Sequence, residues 1–160
     1  MENDPDLLEF NTWRATQPDA EGSGLVLTAN DHASKSCSIW WAGPETDFLR
    51  RLQAEAGARG ITLIVNRARY PRQELQRAVD LILQGSEVLK REGFDLQGVG
   101  GPTPEFFGLT VIGVPAGNED AEQLTPELIA RVQEALAELL LDAAVQPSDV
   151  KVDCGRTHLF

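Results

Sequence analysis

Ile61-Thr62-Leu63-Ile64-Val65-Asn66 is the most strand-like stretch of the chain. Pro71 follows it and opens a helical pattern in which Leu75, Val79, Ile82 and Leu89 share one face of a 3.6-residue period. The near-continuous apolar run of 61–66 predicts a central strand covered on both faces. Gly85 predicts a bend within the helix after it, and Gly93 closes that helix.

Outward toward the N-terminus, Gly24-Leu25-Val26-Leu27-Thr28-Ala29 reads as a strand. Asn30 to Lys35 is a polar turn, and Ser36-Cys37-Ser38-Ile39-Trp40-Trp41-Ala42 is the alternating return strand. Gly43-Pro44 ends it. Phe48, Leu49, Leu52 and Ala56 then form a helical stripe, with Glu45 and Asp47 near the positive helix start.

Toward the C-terminus the plan repeats. Phe94–Val99 is a weak strand, Gly100–Glu105 a Gly/Pro-rich turn, and Leu109–Val114 a strong strand. Thr125-Pro126-Glu127 starts a helix with a cap, a proline and an acid in turn. Leu128, Ile129, Val132, Leu136, Leu139 and Leu140 form its apolar stripe, and Val150–Cys154 is the last strand. The expected fold is α+β: a two-layer sandwich in the order ββαβ-α-ββαβ, with a ββα unit preceding a ferredoxin-like part. That part groups strand 61–66 with strands 94–99, 109–114 and 150–154.

The 160 residues suit one domain, expected over 23–160. Residues 1–22 hold Glu2, Asp4, Asp6, Glu9, Asp19 and Glu21 against Arg14 alone, and are expected to be a flexible acidic arm. Leu7, Leu8, Phe10 and Trp13 offer an alternative, a single amphipathic turn docked on the body or on a partner. The net charge of −11 disfavours nucleic acid and anionic membranes, both of which need a positive surface. No apolar run approaches a membrane span, and no basic-then-apolar leader opens the chain, so a cytoplasmic location is expected.

Three stretches carry a family likeness: Ser38-Ile39-Trp40-Trp41-Ala42-Gly43 before a helix, Ala68-Arg69-Tyr70-Pro71-Arg72-Gln73-Glu74-Leu75 after a strand, and Leu109-Thr110-Val111-Ile112-Gly113-Val114. Together they resemble the N-terminal pro-region-like domains of actinobacterial secreted serine proteases of the α-lytic and streptogrisin kind, over about residues 24–115. The resemblance implies a domain that binds a folded protein and does no chemistry. The chain carries no Gly-Asp-Ser-Gly-Gly nucleophile segment.

The candidate interface residues follow from residue type. Strand alternation splits Trp40 from Trp41, so one enters the core and the other is left to anchor a partner or to pack under the N-terminal arm. Arg67, Arg69 and Arg72 make a local basic face in a mildly basic middle of the chain. Leu159 and Phe160 end a short tail that can lie in a partner groove, with a frayed terminus the alternative. His32, Cys37, Cys154 and His158 have the residue types of a zinc site without its tight spacing, so no metal and no cofactor is expected. Cys37 and Cys154 are expected to be reduced and buried, with a disulfide the alternative. Gly98-Val99-Gly100-Gly101 runs into Pro102 and reads as a hairpin turn, not a phosphate loop.

The expected role is a non-catalytic protein-interaction module, a regulator or accessory of a protease-like or larger assembly, with homo-oligomerisation left open. The alternatives are a small hydrolase or ligand-binding enzyme, and an RNA-binding ferredoxin-like domain using the three arginines.

Overall fold

Asp4-Pro5-Asp6 starts a helix, where the sequence alone suggested an arm. The Asp4 carboxylate accepts from the backbone N–H groups of Asp6 and Leu7, and Pro5 occupies the first turn. Helix α1, Pro5–Ala15, results. Leu7 and Phe10, three residues apart, are fully buried, and the Phe10 ring stacks on Trp13. The expected flexible arm is therefore corrected over α1, because its apolar residues share one face and find a core. The computed structural model describes residues 3–18 and 24–155.

The chain divides into two compact units, Met1–Arg72 and Gln73–Phe160, where a single domain over 23–160 was expected. In the first, α1 is followed by β1 (Leu25–Asp31), β2 (Ser36–Trp41), α2 (Asp47–Ala58) and β3 (Thr62–Arg67). β1 and β2 pair antiparallel, β2 and β3 parallel, and β2 is central. Cys37, Ile39 and Trp41 of β2 are buried in one cluster with Leu25, with Leu7 and Phe10 of α1, and with Phe48, Leu49, Leu52 and Ala56 of α2. The helices thus form one layer and the sheet the other. The Thr46 hydroxyl caps α2 by accepting from the Leu49 N–H.

The second unit runs α3 (Arg72–Gln84), α4 (Ser86–Arg91), β4 (Phe94–Gly100), β5 (Leu109–Pro115), α5 (Pro126–Leu139) and β6 (Val150–Cys154). Its sheet has the same plan: order β4-β5-β6, the first pair antiparallel and the second parallel. The expected bend falls at Gly85, between α3 and α4. Thr125 caps α5 through the Leu128 N–H. Phe94 is buried over Gly113 of the neighbouring strand, where a Cβ would lie 2.4 Å from its ring.

The architecture is α+β in the expected strand and helix order, with α1 added in front. The ferredoxin-like grouping does not describe the pairing: β3 belongs to the sheet of β1 and β2 and not with β4–β6. Nor is β3 central. It is an edge strand, and Ile64 and Val65 are 44% and 42% exposed. Its apolar run gave the pattern of a doubly covered strand, but among the described residues nothing buries Ile64 and Val65 fully.

The repeat extends to single hydrogen bonds. Ala42, just after β2, donates its N–H to the Gly24 carbonyl at 2.7 Å; Ala116, just after β5, donates to Gly93 at 2.8 Å. Ala68, just after β3, donates to Trp41, and Gly155, just after β6, donates to Gly113, both at 2.9 Å. Each first strand also shifts register once, between Leu25 and Leu27 and between Leu96 and Gly98.

Candidate functional site

β2 and β3 run parallel, so their carboxyl ends lie side by side beside the N-terminus of α2. Open α/β sheets place ligand-binding crevices at such ends. Here an open pocket of about 250 Å³ is lined by Trp41, Gly43, Glu45, Leu49, Val65, Asn66 and Arg67. Trp41 is almost fully buried, its ring tilted against Phe48 at 6.3 Å, and its indole N–H donates to the Pro44 carbonyl at 3.1 Å. Asn66 donates its side-chain amide to the Ile39 carbonyl at 3.2 Å, tying the end of β3 to β2. Arg67 is exposed.

Residues 42–46, between β2 and α2, form a short connection, and Gly43 and Glu45 of it line the pocket. In the second unit the corresponding connection, residues 116–125, is about twice as long. There the Cys154 Sγ, at the end of β6, lies 3.3 Å from the Ala121 carbonyl that accepts from it. The long connection of the second unit thus reaches the end of its third strand.

The edge of β3 continues the site. The Thr62 N–H donates to the Lys35 carbonyl at 3.1 Å, and the Ala68 N–H to the Trp41 carbonyl at 2.9 Å. In a parallel ladder residues turn toward the neighbour alternately. Thr62, Ile64, Asn66 and Ala68 therefore face β2, and Leu63, Val65 and Arg67 aim their N–H and C=O groups away from it.

β6 occupies the same place in the second unit, and its edge is guarded. Lys151 and Asp153, whose backbone groups face β5 as those of Ile64 and Asn66 face β2, stand exposed on it, their charged ends 3.8 Å apart. Charges of this kind block strand addition. β3 carries one charge, Arg67, at its end, and none from Thr62 to Asn66.

No family model, curated protein or solved structure matches this chain.

Of the residues singled out in the sequence, Trp41 and Arg67 meet in the pocket. Trp40 is half-buried and pairs in register with Asn66, on the sheet face opposite Trp41. Trp41 is thus the core member of the pair. Arg69 lies over the Tyr70 ring at 5.8 Å, and Arg72 is exposed at the start of α3. Leu159, Phe160 and His158 lie outside the described residues. His32 accepts the Asp4 backbone N–H on its Nδ1 at 2.9 Å, which anchors the β1–β2 turn to the start of α1. Cys37 is buried in the first unit and Cys154 half-buried in the second, and both are free thiols. Among the described residues, no group of three or more His, Cys, Asp or Glu could hold a metal ion, and no helix is long and apolar enough to cross a membrane.

Sequence reasoning missed the edge itself. The signal was present as a contrast between 62–67, which has one charge at its end, and 150–154, which has two.

Proposed function

We propose that the chain is a protein-interaction module, a regulator or accessory part of a larger protein assembly, and that it works through the open edge of β3. The single observation that carries this reading is an edge strand whose one charge, Arg67, stands at its end, with Ile64 and Val65 nearly half exposed. Such an edge is a template for an added strand, and proteins that do not use one normally block it. The pro-region-like resemblance implies the same class of role. Two free thiols fit the reducing cytoplasm proposed as its location.

The test is Val65→Pro. The Val65 N–H points away from β2, so proline there removes no bond of the β2–β3 ladder. The expected result is a protein with unchanged far-UV circular dichroism that loses the partners recovered by the wild type from its native host. Val65→Glu provides a second variant that keeps the backbone donor and adds a charge, with the same expected loss. Equal recovery by folded wild type and both variants would overturn the reading.

A further inference from the structure

The open edge of β3 also specifies what kind of strand fits it, an inference that rests on the β3-edge reading above. Leu63, Val65 and Arg67 point their backbone groups outward. They are in register with Cys37, Ile39 and Trp41, so their side chains share one face of the sheet. A strand added alongside would set every second residue opposite one of these three, because side chains alternate and cross-strand neighbours touch.

Two of the three are apolar and the last is cationic. Among the described residues Arg67 has no ion pair, and Arg72, exposed a little further along the chain, has none either. The pocket at the end of the strand adds the apolar walls of Trp41, Leu49 and Val65. Glu45 and Arg67 both line it, and of the two only Arg67 attracts a carboxylate.

We infer that the β3 edge takes an extended acidic segment of another protein, with two apolar residues facing Leu63 and Val65 and a carboxylate facing Arg67. A second copy of this chain fits less well. Thr62–Arg67 holds no carboxylate to meet Arg67.

The probes are synthetic peptides in which threonine alternates with two central valines, ending at both ends in aspartate or at both ends in lysine. This design reads the same in either strand direction. Binding is followed by anisotropy of a fluorescent label at low salt, with amide exchange at Leu63, Val65 and Arg67 as the structural readout. The aspartate peptide is expected to bind about tenfold more tightly than the lysine peptide, although the net charge of the chain favours the opposite. Arg67→Glu is expected to reverse that order, and added salt to shrink it. Val65→Pro should abolish binding of both peptides.

Equal binding of the two peptides, lost in Val65→Pro, would overturn the acidic partner and keep the edge. Absence of binding to either peptide, together with unchanged partner recovery by Val65→Pro, would overturn both. Self-association abolished by Val65→Pro, with no peptide binding, would put a second copy in the acidic segment's place. Preference for a single-stranded RNA oligomer over the aspartate peptide would likewise overturn the proposal.

Discussion

Gly85 lies so close to Leu139 that a Cβ placed on it would stand 2.5 Å from Leu139 Cδ1 and 3.1 Å from Cγ. The missing side chain lets α5 approach the junction of α3 and α4. Glycine to alanine near a helix usually stabilises by about 0.4–1 kcal/mol when the conformation allows it. Here the contact reverses the sign. Gly85→Ala is expected to cost about 1 kcal/mol through overpacking. The half-buried Leu139 can yield, so the double variant with Leu139→Ala should recover part of the loss. Chemical denaturation of the four proteins of this cycle provides the check.

The docking of α1 can be tested through a buried thiol. Phe10 and Cys37 are both fully buried and belong to one core cluster. Phe10→Ala is expected to destabilise the first unit by about 3–5 kcal/mol. Opening of that unit exposes Cys37, so its labelling by a thiol reagent should accelerate steeply. A mobile acidic arm would leave the labelling rate unchanged.

Burial pushes the Cys37 thiol up, and the Arg14 guanidinium pulls it partly back. Arg14 is itself held below its ordinary value, chiefly by desolvation, and its Nε is buried without a hydrogen-bond partner. A thiol raised in the folded state contributes stability that is intact below its unfolded pKa and is lost as pH rises through the folded one. The first unit should therefore weaken in alkaline solution, and Cys37→Ala should remove that component. Arg14→Met deletes the cation and the orphaned donor together, so stability should stay within about 1 kcal/mol of wild type. The Cys37 labelling profile should move to higher pH. A profile that stays put would mean that Arg14 does not act on the thiol.

Much of the fold was legible because its signals are local. Thr125-Pro126-Glu127 marks a helix start wherever it occurs, and alternation alone separates Trp40 from Trp41. The mispredicted parts depend on partners. Leu7 and Phe10 are two buried positions in an acid-rich helix and look like isolated apolar residues until a core is supplied. Ile61–Asn66 has the composition of a central strand, but no residue in it states which strand lies beside it. The site was half legible for the same reason: Trp41 and Arg67 were both singled out by type, and only the β2–β3 register brings them to one pocket.

The contrast between the third strands of the two units yields the last prediction. Lys151 and Asp153 make little ion-pair energy at 3.8 Å and roughly half exposure, so their value lies in blocking strand addition. Replacing both, by Lys151→Thr and Asp153→Thr, should change stability by less than about 1 kcal/mol while creating a second open edge. Concentrated solutions of that variant should then self-associate in sedimentation velocity runs. Adding Ile64→Lys with Val65→Lys to that variant closes the β3 edge as well and should reduce its self-association. If the β6 variant stays monodisperse at the concentrations where wild type does, Lys151 and Asp153 do not guard that edge, and β3 and β6 do not differ in their openness to an added strand.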